Sequence, residues 1–325
     1  MNAIMAVHVE WPEPRVVELR RISAEDLEPV LAEEAAAWRR DLSWDLSSSA
    51  ELVRRYTRMQ ALNGFALLEG SRVIGYSYFV REESKGLIGD HYILESYRTA
   101  AREDALIDAV LSDLWRMSGL RRVEAQLLML GSPRDRPLPF ASWLRVHPRL
   151  FLEYSFGGAS TQAPADVNGI RFVPWSEAHF DDSAKLLAHA YRGNIDAEIN
   201  DQYRTAGGAR RFLSNIVEFP GCGTFFPGAS RAAFDEGSKE LYGVCLASLV
   251  ARDAGHLTQL CVAPSHRKAG LGTELIRRSL FAFAAHGCGS VGLTVTKANE
   301  KAVRLYQQLG FVQRRSFAAH VWEFR

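Results

Sequence analysis

The chain has few cysteines for its length: four among 325 residues, with no two close together in sequence. Zinc fingers and redox-active dithiols need cysteines paired at short spacing, so neither kind of site is expected. The cysteines are spread through segments that read as strands and a helix end, which is typical of reduced, structural thiols. They are Cys222, Cys245, Cys261 and Cys288. We therefore expect no metal cofactor and a cytoplasmic location.

The chain also lacks a charge excess and a long apolar run. Its formal net charge is +1, which gives no electrostatic reason to expect a nucleic acid or an anionic membrane as a partner. No apolar run approaches the length of a membrane span, and Met1 to Arg20 does not have the layout of a signal peptide. With 47% hydrophobic and 24% charged residues, the composition is that of a globular protein with sizeable cores.

The most informative segment that is present is residues 259–276. It reads as an apolar strand, then a basic turn with two glycines, then an amphipathic helix that begins near Gly272. The first N–H groups of a helix have no partner inside the helix, so they can surround an anion. Gly270 and Gly272 allow close approach of the main chain, and Arg267 and Lys268 add positive charge. The segment predicts a pyrophosphate-binding turn.

Two common phosphate-binding motifs do not fit this turn. A dinucleotide-binding turn needs a third glycine three residues after the second, where this chain has Leu275, and the strand predicted at 291–296 has no acidic residue for a ribose. A nucleoside-triphosphate loop ends in Gly-Lys-Ser/Thr, but here Lys268 precedes the glycines. A basic turn that caps a helix without any ligand is the remaining structural alternative.

The pattern Arg267-x-x-Gly270-x-Gly272 resembles the acyl-CoA-binding motif of the GNAT acetyltransferase superfamily. Residues 299–311 resemble the second hallmark of the same superfamily, with Asn, Ala, Leu-Tyr and Gly-Phe in the expected order and at the expected distance. In this second segment the apolar residues share one helical face, and Gly310 is placed to end the helix. The joint match identifies the chain as a member of this superfamily.

The resemblance implies acetyl-CoA as the acyl donor and an amine as the acceptor. In relatives, the strand before the turn pairs with the pantetheine arm through its main chain, the turn holds the pyrophosphate, and the second hallmark begins with a residue beside the arm. The residues that this assigns to acetyl-CoA binding are Leu260, Cys261, Val262, Arg267, Lys268, Ala269, Gly270, Leu271, Gly272, Thr273 and Asn299. Asn299 is as well explained as a helix cap.

Catalytic roles follow from the same resemblance. The N–H of Val262 would donate to the thioester oxygen, and Tyr306 would protonate the departing thiolate, although a tyrosine packed at a helix–sheet junction would explain the same residue. Many relatives carry a glutamate on the strand before the turn, but residues 257–260 contain none. The general base is left open among His256, Asp196, Glu198 and Asp201.

The two halves of the chain repeat one plan. Residues 88–107 can be laid over 257–276 without a gap, which brings Arg98 onto Arg267, 169 positions later. Interleaved strand and helix patterns in each half predict an α/β fold of two tandem GNAT-like domains, each a mixed, largely antiparallel sheet flanked by helices. We expect a degenerate domain at 1–156, a linker at 157–168 and the acetyltransferase domain at 169–325.

The two copies differ chemically at the turn. Ala101 and Glu103 stand in the N-terminal copy where the C-terminal copy has Gly270 and Gly272. Glu103 would place a carboxylate where a phosphate would lie, so we expect the N-terminal copy to have lost acyl-CoA binding. Its last helix and strand are predicted in degenerate form at 137–149 and 151–156.

The leading hypothesis is an N-acetyltransferase that moves acetyl from acetyl-CoA to a primary amine by direct attack on the thioester. One alternative is a non-catalytic acyl-CoA-binding regulator, which the missing glutamate favours. Another is an acyltransferase with a different donor, either a longer acyl-CoA or an aminoacyl-tRNA. The sequence does not predict the acceptor or the oligomeric state.

Overall fold

The computed structural model describes residues 14–157, 163–219 and 221–324. The first thirteen residues of the Met1 to Arg20 segment and residues 158–162 of the predicted linker lie outside this range. Among the helices of the described ranges, none has both the length and the hydropathy that a membrane crossing requires.

Strands and helices alternate along the chain. The strands are β1 Arg15–Glu18, β2 Gly64–Glu69, β3 Arg72–Glu82, β4 Lys85–Ile93, β5 Arg122–Gln126, β6 Leu144–Ser155, β7 Ile170–Pro174, β8 Thr224–Phe225, β9 Arg231–Asp235, β10 Leu241–Ala251, β11 Ala254–Val262, β12 Ser290–Thr296 and β13 Val312–Glu323. The helices are α1 Ala24–Leu42, α2 Ser47–Arg58, α3 Ala100–Arg116, α4 Phe180–Ala190, α5 Asp196–Ile199, α6 Ala206–Glu218, α7 Leu271–His286 and α8 Glu300–Gln308.

The described residues form two compact units that do not follow the chain in one piece each. The first unit contains 14–34, 52–145 and 321–324, and the second contains 35–51 and 146–320, apart from the residues outside the described ranges. The predicted boundaries at 156 and 169 divide the chain by its sequence repeat, whereas the compact units interleave along the chain. These boundaries therefore stay a prediction.

The first unit contains a sheet with strand order β1-β2-β3-β4-β5. All neighbours are antiparallel except β4 and β5, which are parallel. Helix α3 packs its apolar face on this sheet, because its buried residues recur at helical spacing from Leu106 to Leu114. The mixed, mostly antiparallel sheet confirms the predicted architecture for this unit.

The second unit has the strand order β13-β6-β12-β11-β10-β9-β7, in which it contains β13 up to His320 and β6 from Val146. Strand β8 also pairs with β10. Here β11 and β12 are parallel, and β12 pairs antiparallel with β6 from Thr296–Arg149 to Ser290–Ser155. Separate apolar clusters lie against the two faces of the sheet: one contains α7 and α8, and the other contains α4 and α6. The predicted α/β class with helices on both faces is confirmed.

Besides the helix at 137–149, the residue pattern of the C-terminal copy predicts a helix near 199–218 and a strand near 223–234. All three predicted elements were wrong in detail. No helix forms over 137–149; turns precede β6, which begins at Leu144. Pro137, Pro139 and Pro148 explain this, since proline in a helix interior removes a hydrogen bond. The predicted helix 199–218 breaks at Asn200 and Thr205, whose side chains cap the segments that follow them. The predicted strand 223–234 divides into β8 and β9.

The two units repeat the same irregularities. In β4, Gly89 is an extra residue opposite β3, and in β11 the extra residue opposite β10 is Thr258, 169 positions later. The parallel pairing of β4 with β5 ends at Ile88, and that of β11 with β12 ends at the equivalent Leu257. Bulges re-aim a strand and end its pairing, so both units contain a strand that separates from its parallel neighbour.

Candidate functional site

The end of β11 presents main-chain groups at the edge where β12 has separated. Ala263 donates its N–H to the Tyr242 carbonyl on the β10 side, at 2.8 Å. Adjacent residues of a strand direct their backbone groups to opposite edges, so Leu260 and Val262 direct theirs toward the gap left by β12. Among the described residues no strand pairs with this edge, which we call the unpaired edge of β11. The Val262 N–H lies on it, and the Leu260 and Val262 carbonyls there accept from side chains.

The turn after β11 leads into α7 without a side-chain cap. Gly270 is the N-cap residue in the left-handed conformation, with φ 78°, and Lys268 also has a positive φ of 69°. The first main-chain bond inside the helix runs from Glu274 N–H to the Gly270 carbonyl at 3.0 Å. In the part of the chain that the structure describes, no side chain accepts from the N–H groups of Leu271, Gly272 or Thr273.

The space above this turn is open. A Cβ built on Gly270 would meet no atom within 4 Å, and one built on Gly272 would make only ordinary contacts of 3.6 Å with Val262 and 3.8 Å with Leu305. Because uncapped N–H groups at a helix start attract anions, this turn has the chemistry to hold a pyrophosphate. Ala269 and Lys268 are exposed beside it.

Arg267 makes contacts with the main chain, and its predicted part in phosphate binding stays a prediction. Its guanidinium donates to the Val262 carbonyl at 3.3 Å and to the Ala190 carbonyl at 2.6 Å. These bonds tie the end of β11 to the end of α4. His266 stacks on the Tyr242 ring at 3.6 Å between centroids and contacts the Ser265 hydroxyl. Arg267 therefore helps to hold the turn in shape through these two hydrogen bonds.

The second predicted segment forms α8 as expected. Asn299 caps this helix, because its side chain accepts from the Ala302 N–H at 3.4 Å. Tyr306 is buried in the apolar cluster that also contains α7 residues, and its ring contacts Phe311 edge-on. Burial, together with nearby Cys245 and Asp196, raises the pKa of Tyr306 well above its usual value. The phenol is thus protonated at neutral pH, as a proton donor must be.

The opposite wall of the gap contains a stacked pair of tyrosines. Tyr191 and Tyr203 have ring centroids 4.4 Å apart, and Gln259 of β11 joins their hydroxyls. Its amide donates to Tyr191 at 2.6 Å, and its oxygen accepts from Tyr203 at 3.3 Å. The Tyr191 hydroxyl donates to the Leu260 carbonyl at 3.4 Å, which places it at the unpaired edge of β11.

Asp196 reaches the end of β12 at the same gap. The Thr296 hydroxyl donates to its carboxylate at 2.5 Å. Burial raises the pKa of Tyr191, Tyr203 and Tyr306, and the negative charge of Asp196 contributes to each of these shifts. The carboxylate is therefore close enough to act electrostatically on phenols from both faces of the sheet. Glu198, two residues later, is exposed.

The predicted candidate His256 lies in an aromatic environment. Its ring packs against Trp44 at 5.0 Å and Phe151 at 6.1 Å, and among the described residues its Nδ1 has no hydrogen-bond partner. Burial, with the positive charge of Arg149, lowers the pKa of His256 to about 3. An imidazole with so low a pKa is a weak base.

Cys261 is the only cysteine of the predicted site. Its side chain faces the α4 cluster, and burial raises the pKa of its thiol to about 12. A thiol with so high a pKa stays protonated at neutral pH and is a poor nucleophile.

The corresponding turn of the first unit is closed by its own side chains. Thr99 caps α3 by accepting from the Arg102 N–H at 3.2 Å. The buried Glu103 carboxylate accepts from the Gly131 N–H at 2.6 Å and from Arg136 at 3.1 Å. The loop that carries Gly131 and Arg136 thus lies over the start of the helix. Here the helix start is occupied by groups of the chain itself.

Sequence reasoning missed several groups at the gap. Three of them lie in no motif: Tyr191, Tyr203 and Thr296. The fourth is Arg149 on β6, which lies outside the predicted acetyltransferase domain and donates to Thr294 at 3.4 Å. The hydrophobic periodicity of the sequence does not indicate these residues, because they come close together only where β11 and β12 separate. Among the described residues, no group of three or more His, Cys, Asp or Glu side chains could hold a metal ion.

Comparison with known proteins agrees with this geometry. The sequence model described as the acetyltransferase (GNAT) family matches residues 195–311, which contain both predicted motifs. N-alpha-acetyltransferase 30 from Xenopus laevis is 34% identical over 59 residues, or 18% of this chain and 22% of that protein. The Homo sapiens protein of the same name is 34% identical over 59 residues, or 16% of its length. The chain thus spans about a fifth of these relatives.

Solved structures share the fold over nearly the whole chain. A GCN5-related N-acetyltransferase from Sphaerobacter thermophilus has a TM-score of 0.69 at 17% identity, covering 96% of this chain and 95% of that chain. A tandem GNAT protein from the clavulanic acid biosynthesis pathway has a TM-score of 0.58 at 14% identity, covering 96% and 98%. At such identities these structures show the fold alone.

Proposed function

We propose that this chain is a member of the acetyltransferase (GNAT) family and an N-acetyltransferase that moves acetyl from acetyl-CoA to a primary amine. The observation that carries the proposal is the uncapped turn at Gly270, followed by Leu271, Gly272 and Thr273, directly after the unpaired edge of β11. One edge can pair with an extended arm and the adjacent helix start can hold its phosphates. This combination fits a CoA thioester better than a free anion.

The proposed acyl transfer uses the groups that line the gap. The Val262 N–H would donate to the carbonyl oxygen as negative charge develops on it. Tyr306 would donate its proton to the sulfur of the leaving group, and its raised pKa supports a phenol that stays protonated until then. The protonated state of Cys261 supports direct attack by the amine over transfer through a cysteine. Asn299 would border the arm while capping α8.

The first unit would then have a structural role. Its helix start is covered by Glu103 and the loop at Gly131, which supports the loss of acyl-CoA binding in this copy. We propose one acyl-CoA site per chain.

The function is tested with Tyr306→Phe in an assay of CoA-thiol release with a panel of primary amines. Loss of the general acid should lower kcat about 100-fold while acetyl-CoA affinity changes less than about twofold. Tyr154→Phe is the matched control, because Tyr154 also packs on Phe311 but is not assigned to the site. Unchanged kcat in Tyr306→Phe would remove the phenol from the mechanism, and acetyl-CoA binding without turnover of any amine would favour the regulator.

A further inference from the structure

Resting on the proposed function, we infer that Asp196 is the group that takes the proton from the acceptor ammonium, held in place by Thr296. An alkylamine resembles a lysine side chain, whose pKa is about 10.4, so it arrives at neutral pH as an ammonium and cannot attack until it loses a proton. The sequence alone leaves this base open among four residues. The structure separates them.

Position favours Asp196 over the other carboxylates. The Thr296 hydroxyl that donates to it, at 2.5 Å, belongs to the last residue of β12, where β12 has separated from β11. Thr296 itself is 1% exposed, so this contact fixes the carboxylate at the gap. Glu198 is exposed, and Asp201 lies in the next short helical turn, Asp201–Arg204.

The surroundings of Asp196 suit a cation. The stacked Tyr191 and Tyr203 rings stand on the α4 side of the gap, and Tyr306 enters from the α8 side. Electron-rich ring faces and a carboxylate together stabilise an ammonium group. Arg149 is the positive group close to the same phenols, and it donates to Thr294 on β12. An ammonium at the gap would thus be attracted by the Asp196 carboxylate, with the positive Arg149 nearby.

The proton transfers balance with these two residues. The acceptor ammonium gives one proton to the Asp196 carboxylate, directly or through water, and the carboxyl later releases it to solvent. The neutral nitrogen then forms the C–N bond as the C–S bond breaks, and Tyr306 gives its proton to the sulfur. The second proton leaves the nitrogen as the amide forms and restores the Tyr306 phenol.

The same geometry predicts which variant removes the charge without disturbing the fold. In Asp196→Asn the amide oxygen can still accept from the Thr296 hydroxyl, so the contact that positions the side chain is kept. Glu198→Gln is the matched control, since it removes a carboxylate two positions away on the same segment.

The experiment compares acceptors that do and do not need to lose a proton before they attack. Acetyl transfer is measured at neutral pH to methylamine, lysine amide and a peptide with a free amino terminus, and to hydroxylamine, which is nearly isosteric with methylamine and largely uncharged. Asp196→Asn should slow transfer to the best alkylamine about 100-fold and transfer to hydroxylamine less than about threefold. Glu198→Gln should change neither rate by more than about twofold.

Three other outcomes count against the inference. An equal loss with both kinds of acceptor would show that Asp196 only supports the structure, and no loss with either would show that another group takes the proton. If the unmutated protein acetylates no acceptor at all, the proposed function fails and this inference fails with it. Rates with Asp196→Glu that recover for the alkylamine would add support, because the carboxylate is restored.

Discussion

The turns at Arg98–Glu103 and Arg267–Gly272 begin alike and end differently. In both, the arginine donates to the carbonyl of the last strand residue, Ile93 at 3.0 Å or Val262 at 3.3 Å. After the arginine, α3 begins at Ala100 under a Thr99 cap, whereas α7 begins only at Leu271, after two residues with positive φ.

This difference separates what supports the fold from what supports binding. The bulge, the separated parallel strand and the arginine bond are present in both units, so they do not depend on a ligand. Of the two turns, only the one before α7 leads into a helix start without a side-chain cap. A side-chain cap and a buried glutamate are enough to convert an anion site into a closed helix start, because each supplies an acceptor that the anion would otherwise provide.

The largest expected effect comes from giving the second unit the residue of the first. Gly272→Glu should weaken acetyl-CoA binding at least about 100-fold, roughly 2.7 kcal/mol, because it brings a negative charge to the proposed pyrophosphate position. The position is suitable because a Cβ on Gly272 makes only contacts of 3.6 Å or more. Gly270→Glu would be harder to interpret, because Gly270 has a φ of 78° that disfavours other residues.

Calorimetric titration with acetyl-CoA measures this effect. Gly272→Ala is the control, and its affinity should fall less than about fivefold, since it adds a methyl group without charge. Equal affinity of Gly272→Glu and the unmutated protein would place the pyrophosphate elsewhere.

An effect of similar size is expected on the stability of the first unit. Glu103→Ala leaves the Gly131 N–H and Arg136 without their buried acceptor, which should lower the free energy of unfolding by about 2–4 kcal/mol. Asp104→Ala should cost less than about 1 kcal/mol, because that carboxylate is 40% exposed. Hydrogen exchange of α3 is the measurement; similar protection in both variants would contradict a structural role for Glu103.

The smallest expected effect is on how stability depends on pH, and it comes from His256. The first unit has Leu87 at the equivalent position. His256 stays neutral in the fold with a pKa of about 3 but binds a proton near pH 6.5 when unfolded. Its stabilising contribution is therefore complete above pH 6.5 and is lost as the pH falls toward 3. The loss is at most about 1.4 kcal/mol per pH unit.

Denaturation at pH 7 and pH 4.5 tests this. Between pH 7 and pH 4.5 the free energy of unfolding of His256→Leu should fall by about 2 kcal/mol less than that of the unmutated protein. His286→Gln, at an exposed position on α7, should behave like the unmutated protein. The same pH dependence in all three proteins would mean that His256 protonates without cost.

The sequence was sufficient to predict what local patterns encode. The start of α7, the cap at Asn299 and the helix that carries Tyr306 follow from glycine positions and apolar spacing, and the structure contains all three. The repeat offset of 169 also reappears in the bulges at Gly89 and Thr258. These features depend on residues close together in the chain.

The groups around Asp196 could not be predicted in the same way. Asp196 meets Thr296 only because α5 folds over the end of β12, and Arg149 enters the second unit on β6, which pairs with β12. The Asp196–Thr296 contact joins residues 100 positions apart in sequence, and the Arg149–Thr294 contact joins residues 145 positions apart. The predicted helix over 137–149 was wrong for a local reason, since its three prolines disfavour a helix.

One acyl-CoA site per chain is the central proposal. The most direct measurement is a crystal structure of the unmutated protein grown with excess CoA. We expect one CoA, with its pyrophosphate on the N–H groups of Leu271 to Thr273 and none at the start of α3. CoA bound at Thr99 to Glu103, in addition to or instead of the α7 site, would contradict the account.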